Sequence, residues 1–325
     1  MSGAPERPLG LAFLCCGAAA AMHSRTLRRL DPGVRRSYAS RDPAKARSFL
    51  DRFGGLNAFE GYDAAIASPH VDAVLVATPP HLHRDLALTA LRAGKHVIVE
   101  KPAFLSTAQF DVVRAAAADA DRRVLVAENY YYKPVVRLLR GIIANGSLGR
   151  ILFLDVVALK TQTPSGWRDD PALAGGGALF EGGVHWIAFM ANLGLEVSTV
   201  HPFAPLQSPH LSSLVVFEYD EGAIGTLLHS WEAHSPLKGL RLSRIHGTRG
   251  TLTFESNGLF ALVTGARPRL FLGGRDIAGY RAMFRDFLDA LRTGREPRFS
   301  LERARQCQWL LERAAARRDA QEGAP

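Results

Sequence analysis

Short apolar runs alternate with helical segments over the first 128 residues, and no other property of the chain restricts its fold as much. The runs are rich in β-branched side chains and are bounded by turns, which is typical of strands buried on both faces of a parallel sheet. Strands that alternate with helices in this way indicate a doubly wound sheet. We predict strands at residues 9–15, 34–39, 72–77, 96–99 and 124–128, and helices at 18–30, 62–68, 83–93 and 106–120.

The pattern changes beyond Gly149, where longer strands with alternating apolar and polar residues are predicted at 151–159, 211–219, 225–231, 240–246 and 251–255. Such strands are typical of an antiparallel sheet with one solvated face. Two amphipathic helices, at 277–291 and 301–316, are interpreted as packing elements. We therefore predict an α/β Rossmann domain at residues 1–128, followed by an α+β domain at 129–325 with a large open antiparallel sheet.

Composition argues against several functional classes. The formal net charge is +9, but only six of the 40 basic residues are lysine and the arginines are dispersed, so no nucleic-acid partner is expected. The three cysteines have neither disulfide nor metal-ligand spacing, which predicts no metal site and fits a reducing cytoplasm. The apolar run at 9–22 is too short to span a membrane, and its removal as a leader would delete the first strand.

The turn between the first strand and the first helix has the form of a phosphate-binding loop. It reads Cys15-Cys16-Gly17-Ala18-Ala19-Ala20, a degraded Gly-x-Gly-x-x-Gly pattern that keeps the middle glycine. Gly17 allows the backbone to approach a pyrophosphate, and the following helix N-terminus supplies N–H groups. Because Cys15 carries a Cβ where the turn favours glycine, weakened cofactor affinity is expected. We predict cofactor contacts from Cys16, Gly17, Ala18 and Ala19.

The end of the second strand predicts the cofactor. Dinucleotide-binding folds place the residue that selects between NAD and NADP about twenty residues beyond the glycine turn. Here the chain reads Ser40-Arg41-Asp42-Pro43, and an arginine beside a small hydroxyl residue accommodates a 2′-phosphate. Asp42 precedes a proline and a helical run, so it is interpreted as a helix cap and not as a ribose ligand. We predict NADP, with NAD as the open alternative.

The strand at 96–99 ends in Glu100, Lys101 and Pro102 at the edge where parallel sheets bind their ligands. This stretch, together with the preceding residues 77–83, resembles the Gfo/Idh/MocA oxidoreductase family. The resemblance implies that Lys101 is the catalytic lysine and that residues 77–83 form the loop on the nicotinamide side. It further implies that Asn129, in a Glu-Asn segment between the domains, lies near the nicotinamide. It also matches His23 to a family histidine, although we interpret His23 as a capping or packing residue. The predicted cofactor contacts in these segments are Thr78, Pro79, Pro80, His83, Glu100, Lys101 and Asn129.

A glycine-rich segment at 166–186 is predicted to carry the substrate side of the site. In the family this segment ends in Asp-x-Gly-x-His, so His185 matches the histidine while Glu181 stands where aspartate is usual. Because helical residues four apart share a face, we expect Glu181 and His185 to act together. Trp167 and Arg168, with His185, are predicted substrate contacts.

These residues predict an NADP-dependent oxidoreductase that acts on a hydroxyl-bearing carbon of a sugar, cyclitol or similar polyol. Lys101 is the expected general acid/base, His185 is expected to hydrogen-bond the reacting oxygen, and Glu181 to orient His185 or bind a second hydroxyl. Two alternatives remain open: a dinucleotide sensor without catalysis, and a redox-neutral epimerase or lyase with tightly held cofactor. An apolar outer face of the second sheet, together with the resemblance, predicts a homodimer or homotetramer.

Overall fold

A computed structural model describes residues 8–163, 177–235, 240–265 and 268–322, with side chains described as far as residue 315. The chain forms two compact units. One contains the chain up to Ala127 together with Met283–Glu302, and the other contains Glu128–Ala282 together with the chain from Arg303 onward. The chain thus leaves the first unit at the end of a strand and later returns to it for twenty residues. The predicted single domain boundary, between residues 128 and 129, does not include this return of the chain to the first unit.

The first unit is built on a six-stranded parallel sheet in the order β3-β2-β1-β4-β5-β6. Every residue of the central strands β1 and β4 is buried, which explains why they contain only apolar residues and glycine. The prediction of a doubly wound parallel sheet is confirmed. Its strands are β1 (Gly10–Leu14), β2 (Arg35–Ser40), β3 (Ala58–Glu60), β4 (Ala73–Val76), β5 (His96–Val99) and β6 (Val124–Val126).

The helices of the first unit begin and end at recognisable local signals. Asp42 accepts a hydrogen bond from the N–H of Ala44 at 3.0 Å, so the interpretation of this residue as a helix cap is confirmed. Ser106 caps a later helix in the same way, through the N–H of Gln109. The helices are α1 (Ala18–Leu30), α2 (Pro43–Phe53), α3 (Tyr62–Ala67), α4 (His83–Arg92) and α5 (Thr107–Asp119).

The register of the parallel sheet brings the functional segments to one edge. Leu14 at the end of β1 pairs with Ala39 of β2 on one side and with Val76 of β4 on the other. Val76 in turn pairs with Val99 at the end of β5. The turn after β1 and the segments after β2, β4 and β5 therefore emerge side by side, at the edge where open α/β sheets bind ligands.

The second unit contains an eight-stranded sheet in the order β14-β13-β12-β11-β7-β10-β9-β8. All neighbours are antiparallel except β7 and β10, which run parallel, so the predicted antiparallel sheet is mostly but not wholly of that kind. The strands are β7 (Ile151–Leu159), β8 (Val197–Phe203), β9 (Ser212–Tyr219), β10 (Ile224–Ser230), β11 (Leu242–Gly247), β12 (Gly250–Glu255), β13 (Phe260–Gly265) and β14 (Arg269–Leu272).

Helices of the second unit include α6 (Pro134–Ala144), α7 (Ala178–Glu181) and α8 (Val184–Met190), and a 3-10 turn, Asn129–Tyr132, precedes α6. The last two helices of the chain are α9 (Tyr280–Thr293) and α10 (Leu301–Glu322). The returning segment packs into the first unit, where Phe284 of α9 meets the His23 ring of α1 edge to face at 5.2 Å. Within the described ranges, no helix is both long and apolar enough to cross a membrane.

Candidate active site

The turn after β1 is strained at its first position. Cys15, which stands where the phosphate-loop pattern has its first glycine, adopts a φ of 112°, a region that side chains with a Cβ rarely occupy. Burial raises the pKa of the Cys15 thiol although Arg41 and Lys45 oppose the rise, and burial also raises the pKa of Cys16 to about 12. Both thiols are therefore protonated near neutral pH and are not nucleophiles.

Gly17 keeps the space above this turn open. Among the described residues, a Cβ built on Gly17 would meet only the Cys15 sulfur, at 3.9 Å. The first hydrogen bond within α1 runs from the N–H of Ala21 to the Gly17 carbonyl, and no side chain in the described part of the chain caps the helix. The N–H groups of Ala18 and Ala19 consequently face the start of the helix without an intrahelical acceptor. This arrangement fits the pyrophosphate of a dinucleotide, as the sequence predicts for residues 16–19.

Positive charge gathers beside this turn at the end of β2. The Ser40 hydroxyl accepts the N–H of Asp42 at 3.1 Å and keeps its own proton for another acceptor. Arg41 is exposed and hydrogen-bonds the Tyr62 hydroxyl at the start of α3. Burial and the nearby Cys15 raise the pKa of Tyr62, so this phenol is neutral and can donate a hydrogen bond. Tyr62 is a candidate cofactor residue that was not predicted from the sequence.

The segment after β4 is held by a buried histidine. His83 is 1% exposed, and its Nε2 lies 2.8 Å from the Thr78 carbonyl oxygen while its Nδ1 lies 3.0 Å from that of Pro102. Through these two contacts the His83 ring joins the loop of Pro79 and Pro80 to the segment after β5. Burial lowers the pKa of His83. A direct contact between His83 and the cofactor remains a prediction, whereas the buried Thr78 hydroxyl has no partner among the described residues and suits a ligand.

Glu100 holds the backbone from which Lys101 leaves the sheet. The carboxylate of Glu100 accepts the Lys101 N–H at 3.0 Å and pairs with the His23 ring. The Lys101–Pro102 peptide is cis. Burial opposes the ionisation of Glu100, but the hydrogen bond and charge of His23 and the charge and N–H of Lys101 outweigh it and lower the pKa of Glu100 to about 2. Glu100 therefore remains a carboxylate that orients the catalytic lysine of the prediction.

In the second unit, His185 is held by an acid that was not predicted. The two oxygens of Glu128 lie 2.7 and 2.9 Å from His185 Nδ1, and Glu128 is 2% exposed. The Nδ1–H donates to this carboxylate, so the neutral ring carries its lone pair on Nε2. The His185 ring stacks on Tyr130 at 4.3 Å with an angle of 10° between the planes. An imidazole fixed in this tautomer can accept a proton at Nε2.

Asn129 directly follows this acid. Its side-chain amide donates to the Ala278 carbonyl oxygen at 2.7 Å, and the residue is 4% exposed. The amide therefore holds the chain ahead of α9 to the turn that carries Glu128. The proximity of Asn129 to a nicotinamide remains a prediction.

Glu181 and His185, which were expected on one helix, lie on two successive helices, and their joint action remains a prediction. Glu181 ends α7 and His185 belongs to α8, because the chain breaks at Gly182 and Gly183. A Cβ at Gly182 would lie 2.8 Å from the Trp231 ring, so glycine is needed where the two helices meet. Glu128 accepts the hydrogen bond from Nδ1 of His185. At that nitrogen Glu128 therefore has the orienting role that was predicted for Glu181. Glu181 is 6% exposed, and its binding of a second hydroxyl remains a prediction.

Two further predicted residues, Trp167 and Arg168, lie outside the described residues. The residues that were missed share one property, which is that their role depends on a contact between distant segments. Glu128 and His185, for example, are separated by 57 positions. Glu128 could have been suspected because it ends a predicted strand at the ligand edge of the sheet.

The fold and these residues are typical of the class of dinucleotide-binding oxidoreductases. The sequence pattern described as the oxidoreductase family with an NAD-binding Rossmann fold, GFO/IDH/MocA, matches residues 11–128. The pattern of the GFO/IDH/MocA C-terminal domain matches residues 136–253. The chain therefore belongs to the Gfo/Idh/MocA family, as its motifs indicate.

Among relatives, levoglucosan dehydrogenase from Pseudarthrobacter phenanthrenivorans is 30% identical over 254 residues, which is 68% of this chain. That match spans 65% of the relative, somewhat less than two thirds of its length. A solved structure of levoglucosan dehydrogenase in complex with NADH and levoglucosan is 25% identical, with a TM-score of 0.83 over 95% of this chain and 97% of that chain. The structure of GenD2 from gentamicin A biosynthesis in complex with NAD is 26% identical, with a TM-score of 0.83 over 99% and 97% of the respective chains.

Proposed function

We propose that this protein is an NADP-dependent oxidoreductase that moves a hydride between a nicotinamide cofactor and a hydroxyl-bearing carbon of a sugar, cyclitol or similar small polyol. The observation that carries the proposal is the Glu128–His185 pair, because a buried acid on Nδ1 leaves Nε2 of the imidazole as an acceptor for a hydrogen bond from a substrate hydroxyl. The named activity of levoglucosan dehydrogenase on a sugar derivative agrees with a substrate of this class.

The preference for NADP rests on the charge beside the phosphate turn. Arg41 and Lys45 both act on Cys15, so their cations lie close to the turn that would hold the pyrophosphate. Ser40 and Tyr62 add hydroxyl donors to the same area, and the acid that follows, Asp42, is engaged in capping α2. A 2′-phosphate would receive charge-assisted hydrogen bonds here. The solved relatives bind NAD or NADH, so NAD is the alternative cofactor.

The proton in this reaction is assigned to Lys101. The cofactor, when bound, supplies the hydride acceptor or donor. Lys101 removes the hydroxyl proton as the alcohol is oxidised and returns it in the reverse direction, and Glu100 holds its backbone in place. Before that transfer the substrate hydroxyl donates a hydrogen bond to Nε2 of His185, which holds the reacting oxygen in place, while Glu128 keeps the proton of the neutral ring on Nδ1. Glu181, Trp167 and Arg168 are proposed to contact the remaining hydroxyls of the substrate.

Absorbance at the nicotinamide band tests the proposal. Purified protein is mixed with NADP or NAD and a panel of sugars, anhydrosugars, cyclitols and diols, and reduction of the cofactor with at least one of them is expected. Cofactor binding without turnover across the panel would favour the dinucleotide sensor. Cofactor that copurifies and is never released, with conversion of substrate to an isomer or a cleavage product, would favour the redox-neutral enzyme.

We further propose that the outer face of the second sheet pairs two copies of the chain. Alternate residues of β7 and β10 are exposed there, with Phe153 opposite Ile224 in register and Leu228 nearby. These three side chains are 56%, 37% and 40% exposed, and such a patch on a sheet is typical of a symmetric interface. Light scattering should give a dimer or tetramer, and Phe153→Glu should shift it to monomer. Leu206→Glu, at a 91% exposed loop position, is the control that should leave assembly unchanged.

With three free thiols, none of them disulfide-bonded, the chain suits a reducing compartment, and we propose the cytoplasm.

A further inference from the structure

Lys133 is a buried lysine near the His185 ring, and the proposed reaction does not use this lysine. It lies between the 3-10 turn and α6 and is 4% exposed. Its Nζ is 3.9 Å from the centre of the Tyr130 ring and 5.9 Å from that of Trp186. The positive charge of this largely buried side chain therefore lies against the faces of two aromatic rings. Packing alone would be served better by an apolar side chain.

The charges around Lys133 come from three other segments. Glu255, at the end of β12, is fully buried, Arg241 precedes β11, and Glu128 precedes the 3-10 turn. Burial lowers the pKa of Lys133 to about 8, while Glu255 and Glu128 oppose that shift and Arg241 adds to it. Lys133 is therefore mostly protonated at pH 7 and loses its charge slightly above that pH.

Tyr130 connects Lys133 to His185. The Tyr130 ring centre lies 3.9 Å from Lys133 Nζ and 4.3 Å from the centre of the His185 ring. Since both distances are measured to the same point, Nζ lies no more than about 8 Å from the His185 ring. A unit charge at this distance in a partly buried site shifts the titration of an imidazole by roughly 0.5 to 1.5 pH units.

We propose that Lys133 is a positioning residue for His185. Its ammonium group holds the Tyr130 ring on which the imidazole stacks, and its positive charge opposes protonation of that imidazole. His185 is thereby kept neutral, with Nε2 as an acceptor for a hydrogen bond from the reacting hydroxyl, although the carboxylate of Glu128 favours the charged ring. The inference rests on the proposed oxidation of an alcohol and adds to it a residue that sets the pH range in which His185 works.

The test is a titration of the His185 ring by NMR, which needs no substrate. The protein is labelled with carbon-13 at histidine Cε1, and the signal is assigned by its loss in His185→Gln. In Lys133→Met, which keeps the length of the side chain without its charge, the titration midpoint should lie 0.5 to 1.5 pH units above that of the wild type. Lys133→Arg keeps the charge and the cation–π contact, so its midpoint should stay within about 0.3 units.

An unchanged midpoint in Lys133→Met would overturn the inference and would leave Lys133 a packing residue. If Lys133→Met does not fold, the wild-type protein gives the same answer. Deprotonation of Lys133 near pH 8 should then produce a second, smaller step in the His185 signal, and its absence would contradict the proposal. Because neither readout depends on turnover, failure of the inference is distinguishable from failure of the proposed reaction. Where a substrate is known, the acidic limb of the pH profile should move with the NMR midpoint and return in Lys133→Arg.

Discussion

Replacing Glu128 by glutamine should disable His185 with little change in shape. The carboxylate faces Nδ1 with both oxygens, at 2.7 and 2.9 Å, and one of them also accepts the N–H of Tyr130 at 2.9 Å. Glutamine keeps an oxygen for Tyr130 but presents its NH₂ group to Nδ1, which favours the tautomer with the proton on Nε2. Loss of the charge-assisted bond removes about 1.5–3 kcal/mol, or roughly 10- to 150-fold. Reversal of the tautomer adds further loss, so turnover should fall by about 10² to 10⁴.

The assay compares turnover of the wild type, Glu128→Gln and Glu128→Asp at saturating cofactor and substrate. Glu128→Asp keeps the charge and the acceptor and is shorter by one methylene, so it should retain more activity than Glu128→Gln. Thermal unfolding of the three proteins provides the control for folding. Turnover of Glu128→Gln within about fivefold of the wild type would show that the tautomer of His185 has no part in the reaction.

Three other changes have outcomes that the structure predicts. Arg41→Ala should weaken NADPH binding by about 1.5–3 kcal/mol and leave NADH nearly unchanged in calorimetric titrations; equal losses would contradict the 2′-phosphate assignment. Cys15→Gly should raise the free energy of unfolding in urea by about 0.5–2 kcal/mol, since glycine relieves the positive φ at some cost in chain entropy. Because the pKa of Glu100 is lowered to about 2, its stabilisation, about 3 kcal/mol, should be present above pH 4.5 and be lost as the pH falls towards 2. Wild-type stability that shows no steeper fall over this range than Glu100→Gln would disprove the last statement.

Local patterns were sufficient for most of the first unit. The predicted strand at 96–99 is β5, and the predicted helix at 62–68 is observed as Tyr62–Ala67. Strands buried on both faces consist of continuous apolar runs, and helices begin at caps such as Asp42, so both signals lie within a few residues. The Gfo/Idh/MocA membership was indicated by motifs of the same short range.

The edge strand β3 of the first sheet and the edge strand β14 of the second were not predicted. The strand β3 has three residues, none of them buried, and β14 consists of four residues that are mostly exposed. Neither has a clear alternation of buried and exposed positions, because each pairs with a single neighbour at the rim of its sheet. Their existence depends on the register of the adjoining strand, which no local pattern encodes.

In the candidate site too, residues marked by a local pattern were predicted, and contacts between distant segments were not. Cys15, Gly17 and Lys101 were identified because each follows a predicted strand, and the resemblance to the family implied the role of Lys101. From the family resemblance and helical spacing, Glu181 was expected to orient His185 or to bind a second hydroxyl, but α7 ends at Glu181 and Trp231 packs against the following Gly182. Such a break is a tertiary effect, and the sequence between the two residues gives only the glycines as a hint.

The most direct test of the account is the turnover of Lys101→Met with saturating NADPH or NADP and the substrate found in the panel. Methionine keeps the length of the side chain and removes the base, so turnover should fall by about 10² to 10⁴ while the dissociation constant of NADPH stays within about threefold. A Lys101→Met protein that turns over at the wild-type rate would contradict the assignment of proton transfer to Lys101.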